Sequence, residues 1–478
     1  MFLSRYVHFI KVKNNIYCLY NSLNSSKAYV NFAVHGQETN ELSSKTILAL
    51  QKSRILLNDY KTERKFIDSL RQKSSYYQPS QLYLIVSEIC NFRCKYCRQY
   101  IHGKPNQSAV MDFSAARQAI DYFFLQALKP TGTVFYGGEP MINSKLILKC
   151  IEYIKSKYKN SIRADFDFTI ITNGTLIDNK TAKSLAQYGV YIIISLDGPA
   201  PLHNRFRIYK NGCGTAKDVL AGYKTYVKNG CLVGISCTIG KHNFRHLDRT
   251  LNYIKNELKP VNIGINLPHG NDANVLVSGL NKKQIGEDIF KKLSYFNSGG
   301  LYVEHIMRKL KLIFTEQVKV NDCPACGGRL VILPNKKIGF CEGAIGMNNF
   351  FYSQLRNKKN IDKYAKKWFL TSPLFNKECQ SCVALSVCGG GCPLDGYLKH
   401  KKLSGRDEVR CSFIRSIIEW SIRDFYKFSI DHKFIKNDFD VFTPSITQQD
   451  MFLNYIGAQN KKLPLRSSSR YGITKISK

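Results

Sequence analysis

The chain has no apolar run of about 18 residues, the length a helical membrane crossing needs. Its densest run, YIIIS at 191–195, is the length of a strand. The first residues, MFLSRYVHFIKVKNN, lack the apolar centre of a secretory signal. These absences lead us to expect a cytoplasmic protein with no membrane partner. Acidic residues are also scarce: 35 Asp and Glu stand against 71 Lys and Arg in 478 residues, a net charge of +36. That excess suits an anionic partner such as an acidic peptide. The basic residues are dispersed, clustering only at 356–368 and 398–406, so nucleic acid is not expected as a partner. An ordinary apolar content of 44% excludes a disordered chain.

What the chain does have is cysteine, sixteen in all, eleven of them tightly spaced. In a reducing compartment such spacing points to metal or redox chemistry rather than disulfides. Cys18, Cys150, Cys231 and Cys237 lie in apolar stretches and read as small buried hydrophobes. Cys213, in NGCGT, reads as a loop residue. In SEICNFRCKYCRQY, Cys90, Cys94 and Cys97 follow the spacing C-x3-C-x2-C. Thiolates select zinc or iron–sulfur clusters. Structural zinc takes four protein ligands, and the nearest further donor here is His102. A four-iron cluster held by three cysteines leaves one iron open to an external ligand.

Strand-like runs at 82–86, 133–136, 166–172, 190–196, 231–238 and 261–266 alternate with amphipathic helical patterns. Ala116, Ile120, Phe123 and Ala127 share one helix face, as do Ile147, Ile151, Ile154 and Tyr158. Six successive β/α units imply a parallel sheet covered by helices, hence an α/β fold with an open, partial (β/α)6 TIM-like barrel. Its chemistry belongs at the C-terminal strand ends, where the three-cysteine loop lies. Ahead of it, three short strands at 4–33, a helix over 40–57 and a polar segment to 79 make a small α+β domain. The expected domains are 1–79, the barrel at 80–270, a helical connector at 271–320, a cysteine-rich domain at 321–430 and an extension at 431–478.

The cysteine spacing, with an aromatic Tyr96 before the last cysteine, resembles the radical S-adenosylmethionine (SAM) superfamily. FYGGEP (135–140), TNGT (172–175), ISLDGP (194–199) and HNRFR (203–207) resemble further motifs of that family, in order along the strand ends. The resemblance implies that SAM fills the open iron site of a [4Fe-4S] cluster and is cleaved to a 5′-deoxyadenosyl radical. It implies SAM contacts from Tyr96, Gly137, Gly138, Glu139, Asn173, Ser195, Asp197 and Arg207. Asn204 departs from the family's usual Asp.

Cys379, Cys382, Cys388, Cys392 and Cys411, with Cys323, Cys326 and Cys341 upstream, resemble the SPASM extension of such enzymes. That implies two auxiliary [4Fe-4S] clusters, three clusters in total. Cys326, Cys341, Cys392 and Cys323 would hold the first, and Cys379, Cys382, Cys388 and Cys411 the second. Lys336 stands where the family usually has Gly, and the CPAC spacing is unusual, leaving the Cys323 assignment open. A zinc ribbon from Cys323, Cys326, Cys379 and Cys382 is the alternative. Glu342 follows Cys341, where sulfatase-maturating relatives carry a carboxylate that takes a substrate proton, so it is the candidate catalytic base.

Enzymes with this extension mostly modify peptides. The N-terminal segment is similar in architecture to leader-binding domains of maturases for ribosomally made peptides, which take a peptide as an added strand. We expect a peptide maturase that crosslinks or oxidises a precursor peptide, with flavodoxin or ferredoxin as electron donor. A formylglycine-forming sulfatase maturase and a non-catalytic zinc- or cluster-binding interaction protein are the alternatives.

Overall fold

The six strand-like runs of the central region are six parallel strands. The computed structural model describes residues 1–32, 44–72, 77–354, 358–435 and 439–459. Short strands β1 (Phe2–Leu3), β2 (Val7–Lys13), β3 (Ile16–Asn21), β4 (Lys27–Asn31) and β5 (Leu56–Leu57) form the N-terminal part. The barrel strands are β6 (Gln81–Ser87), β7 (Gly132–Gly137), β8 (Asp167–Thr172), β9 (Tyr191–Ser195), β10 (Leu232–Thr238) and β11 (Ile263–Asn266). Each pairs in parallel with the next, and β6 is buried along its whole length. Between them the helices Phe113–Gln126 and Ser144–Lys157 bury Ala116, Ile120 and Phe123, and Ile147, Ile151 and Ile154. Tyr158, at the end of the second, stacks on Phe124 of the first at 3.9 Å between centroids. Among the described residues no helix is long and apolar enough to cross a membrane.

The sheet does not stop at the barrel. β12 (Arg329–Ile332) pairs in parallel with β6, and β13 (Lys337–Gly339) and β14 (Phe351–Gln354) follow antiparallel, giving nine strands in one sheet. A three-strand extension from the cysteine-rich region thus crosses the expected boundary at 321. The periodicity of six β/α units carries no hint of it, because β12 to β14 are short and not followed by crossover helices. Lys336 closes the β12–β13 turn with φ +65°, a left-handed conformation that glycine adopts freely. The family glycine expected at this place therefore has a conformational reason, and lysine bears the strain here.

At the N-terminus β2, β3 and β4 form an antiparallel sheet, and β15 (Val441–Phe442) of the C-terminal extension pairs with β4. The expected polar segment before 79 contains a helix, Lys61–Gln72. Its Phe66, Ile67 and Leu70 pack with Leu23, Val318, Leu374 and Leu385, a stripe too narrow to stand out among charged neighbours. The expected connector contains the helices Lys282–Ser298 and Glu304–Phe314. The helix expected over 40–57 covers Ser44–Lys52, its first residues lying outside those described, as does the basic tail beyond 459.

Candidate active site

The three-cysteine loop leaves the C-terminal end of β6 and is braced by the HNRFR segment. Arg93 N donates to Ile208 O and Lys95 N to Phe206 O, both at 2.8 Å. Phe92 N points at Cys90 Sγ, 3.4 Å away. Burial first, then Glu139, pushes the Cys90 thiol up to about 12, and burial pushes Cys94 up to about 11. The charges of Cys94 and Cys97 also bear on Cys90, so the three sulfurs face one locality. Cys90 and Cys94, so raised, stay protonated until a metal takes their protons.

The two glycines of GGEP are needed by the chain itself. A Cβ on Gly137 would fall 1.9 Å from Ser87 O and one on Gly138 2.4 Å from Ile89 O. Gly138 N and Glu139 N donate to those same carbonyls at 2.8 Å, fastening β7 to the cysteine loop. Glu139 is buried and its oxygens accept from Met141 N, Thr172 Oγ1 and Asn173 N at 2.9, 2.6 and 2.7 Å. Burial holds its carboxyl above the usual range despite these donors. A carboxylate accepts about four hydrogen bonds, so one position stays open. Asn173 Nδ2 donates to Asn91 Oδ1 at 2.7 Å, tying the end of β8 to the same loop. Ser195 closes β9, in register with Ser236.

Tyr96, Asp197 and Arg207 form one chain of hydrogen bonds. Tyr96 OH donates to Asp197 Oδ2 at 2.5 Å and accepts from Arg207 Nη1 at 2.7 Å. Asp197 Oδ1 accepts from Thr238 N at 2.9 Å, and His242 Nε2 lies 3.3 Å from Oδ2. Burial alone would raise the Asp197 carboxyl; His242 and Arg207 overcome it and hold it at about 2. The Nε of Arg207 is buried with no acceptor among the described residues. Asn204 uses one oxygen, accepting from Ala216 N at 2.9 Å, a task for which an amide serves as well as the family's Asp.

The later cysteines fall into two groups by mutual electrostatic influence. Cys323 and Cys326 hydrogen-bond one another, and Cys323, Cys341 and Cys392 bear on each other. Cys379, Cys382, Cys388 and Cys411 make the second group. Cys326 and Cys379 line one cavity, but Cys326 bears on Cys323 and Cys392, and Cys379 on Cys388 and Cys382. Among the described residues, no three Cys, His, Asp or Glu converge for a single ion, whose sulfur ligands would lie about 2.3 Å from the metal. A four-iron cluster takes its thiolates at the corners of a cube and does not need them to converge on one point. The remaining cysteines stand apart: Cys18, Cys150, Cys231 and Cys237 are buried and Cys213 is exposed.

Glu342 lies between two guanidiniums. Arg98 Nη2 donates to its Oε1 at 3.2 Å and Arg329 Nη1 to its Oε2. Burial would raise this carboxyl; Arg329 and Arg98 bring it below the usual range. The two guanidiniums thereby weaken it as an acceptor of a substrate proton. Arg98, the residue after Cys97, also reaches His269 Nε2 at 3.2 Å, and His269 Nδ1 lies 3.8 Å from Cys392 Sγ. The primary loop and the first auxiliary group are therefore bridged by Arg98, Glu342 and His269. Sequence reasoning missed Arg98, Arg329, His242 and His269, as well as Gln99, whose Nε2 donates to Gly137 O at 2.9 Å. Arg98 and Gln99 could have been found from adjacency to Cys97. The other three lie in no motif.

Residues 84–254 match the family model described as the radical SAM superfamily. Over 492 aligned positions the chain is 24% identical to the radical SAM cyclopropyl synthase TigE of Paramaledivibacter caminithermalis, covering 90% of this chain and 98% of TigE. It is 26% identical to a cysteine-type anaerobic sulfatase-maturating enzyme of Clostridium novyi, over 37% of this chain and 48% of that one. Native anSMEcpe with bound AdoMet superposes with a TM-score of 0.62 at 18% identity, covering 74% of this chain and all of that one. The chain carries a radical SAM domain and is a radical SAM enzyme, with the α/β partial-barrel fold and cysteine-rich C-terminal domain of that class. SAM and a [4Fe-4S] cluster belong to that domain, and the residues fit them: three facing thiols, an open carboxylate position on Glu139 and the free Nε of Arg207.

Proposed function

We propose that this protein is a radical SAM peptide maturase, which removes hydrogen from an unactivated carbon of a ribosomally made precursor peptide and closes a new bond there or oxidises it. The observation that carries the reading is the near end-to-end likeness to TigE, which takes in the N-terminal and auxiliary regions as well as the barrel. A relative named a cyclopropyl synthase favours carbon–carbon bond formation. A structure of the same fold, anSMEcpe with bound AdoMet and Cp18Cys peptide, favours a peptide substrate. The sulfatase-type alternative is less suited, since all of anSMEcpe corresponds to 74% of this chain and leaves about a quarter with another task.

When bound, SAM and the cluster supply a primary alkyl radical and its electron. The chain's own residues do the rest. In this reading Cys90, Cys94 and Cys97 ligate the cluster, and Gly137, Gly138, Glu139, Asn173 and Ser195 line the SAM site. Arg207 is positioned by Tyr96, which Asp197 holds, and offers a guanidinium to a carboxylate. Cys323, Cys326, Cys341 and Cys392 would hold one auxiliary cluster and Cys379, Cys382, Cys388 and Cys411 another, which would supply acceptors for a substrate electron, with flavodoxin or ferredoxin as the electron donor to the enzyme. Residues 1–79 bind the leader as an added strand at β2, because β15 closes the β4 edge. Phe9, exposed on β2, with Lys11 and Lys13 suits an acidic, partly apolar leader.

The test is anaerobic incubation of reconstituted protein with SAM, dithionite and a candidate precursor peptide, followed by mass spectrometry. We expect 5′-deoxyadenosine together with a SAM-dependent mass loss from the peptide. Turnover of SAM with no change in any ribosomal peptide would redirect the reading to another substrate.

A further inference from the structure

Among the described residues, the buried Nε–H groups of Arg207, Arg329 and Arg410 in the cysteine regions have no acceptor. Arg207 belongs to the primary site. The other two have no part in the function proposed above.

Arg329 begins β12, three residues after Cys326. Its guanidinium lies 4.1 Å from the Tyr83 ring centroid and its Nη1 meets Glu342, the neighbour of Cys341. The charge therefore sits between the Cys323–Cys326 turn and Cys341. Arg410 precedes Cys411 on the helix Glu408–Asp431, and its Cδ is 3.8 Å from where a Cβ on Gly391 would lie. It lines a cavity of about 570 Å³, open space at the mouth included, shared with Cys326 and Cys392 of the first group and with three cysteines of the second. Cys392, Asp407, Asp395 and Cys323 bear on its charge.

A buried donor left unmade costs about 1–3 kcal/mol. Two such donors beside the cysteines point to an acceptor held there. Hydrogen bonds to sulfur and local charge both raise a cluster's potential. Around the first group stand Arg98, Arg329, Arg410 and Lys399 with Glu342, Asp395 and Asp407. Around the second, Arg308 and Lys309 share Asp322, Arg406 meets Glu378 and Arg415 meets Glu408.

We propose that Arg329 and Arg410 are positioning residues whose Nε–H groups donate to the sulfurs of the first auxiliary cluster and raise its reduction potential. This rests on the reading that Cys323, Cys326, Cys341 and Cys392 ligate a cluster. That cluster is the one that Arg98 and His269 join to the primary loop.

The experiment uses full-length protein with Cys90, Cys94 and Cys97 changed to alanine, so that only auxiliary clusters respond. Iron and sulfide are counted first; about eight of each are expected for two clusters. Redox titration followed by electron paramagnetic resonance then compares this protein with its Arg329→Gln and Arg410→Gln forms. Each substitution should shift the one-electron reduction equilibrium of one of the two clusters at least tenfold, about 59 mV downward. Glu342→Gln, which removes the opposing charge, should move it upward. For any variant that fails to load iron, protein labelled with nitrogen-15 at arginine Nε supplies the second measurement, a hyperfine coupling to the reduced cluster. A parent holding far fewer than eight irons overturns the cluster reading and this proposal with it. Eight irons with unshifted potentials, or with no nitrogen-15 coupling, overturn this proposal alone.

Discussion

Cys90, Cys94 and Cys97 come from eight consecutive residues after one strand, whereas Cys323, Cys326, Cys341 and Cys392 come from three segments between 323 and 392. The first set is held by backbone: amides of 93, 95, 138 and 139 bond across to neighbouring strand ends. The second is held by side chains, with Glu342 clamped by Arg98 and Arg329, and His269 wedged against Cys392. Backbone bracing depends on strand order and glycines, so it leaves a compact signature. Side-chain bracing can draw on any arginine or histidine that the fold brings near, so it leaves none.

The largest effect should come from the backbone-braced loop. Cys94→Ala should abolish 5′-deoxyadenosine formation, by more than about 10³-fold, and lower the iron content by about four. Retained SAM cleavage under anaerobic reduction would break the assignment of that loop. The side-chain-braced region should instead show itself in stability. Glu342→Gln leaves two buried guanidiniums without their anion, and should cost about 3–5 kcal/mol, read as a lowered unfolding midpoint. No change there would mean the clamp is not what holds the auxiliary region to the barrel.

The pH dependence sharpens the same contrast, because the primary site holds a buried neutral histidine. His203 Nδ1 accepts from Asp197 N at 3.3 Å and its Nε2 lies 3.0 Å from Thr215 Oγ1, which itself donates to Arg207 O. Burial, then Arg207, holds it down at about 3. The unfolded chain takes up this proton below about pH 6.5 while the folded chain does not. Stability should therefore fall as pH drops from about 6.5 toward 3, and His203→Asn should flatten that slope in denaturant titrations. Asp197 adds a smaller loss, present above its unfolded value and lost between about pH 4 and 2.

Tyr96→Phe removes the hydroxyl between Asp197 and Arg207. It should weaken SAM binding about tenfold, near the 1–2 kcal/mol expected of a charge-assisted bond, measurable by calorimetry on the loaded enzyme. Unchanged affinity would show that Arg207 needs no such support. The smallest expected effect is Lys336→Gly, which relieves a left-handed lysine and should raise stability by about 1 kcal/mol.

Much of the barrel was legible because period and punctuation agree. The expected strands at 82–86 and 133–136 fall within β6 and β7, and the motifs sit at their ends. The β12–β14 extension of the sheet was not legible, since strands of three or four residues carry too little alternation to register. Nor was β15, two residues long, whose pairing with β4 depends on a contact across some 410 positions. In the sequence the zinc ribbon stood as the lesser alternative to the cluster reading of CPAC, because it leaves Cys341, Cys388, Cys392 and Cys411 without a role. Only the fold sets Cys323 and Cys326 beside Cys341 and Cys392.

By itself the sequence determined the primary loop, the glycines that let β7 lie against it, and the order of residues along the strand ends. All of these are local consequences of chain geometry, readable wherever close backbone approach forbids a Cβ. The tertiary structure decided which cysteines share a group, which arginines face them, and that Glu342 is bound between two guanidiniums. Those outcomes depend on charges meeting inside a low-dielectric interior from segments far apart in the chain, and no local pattern encodes them.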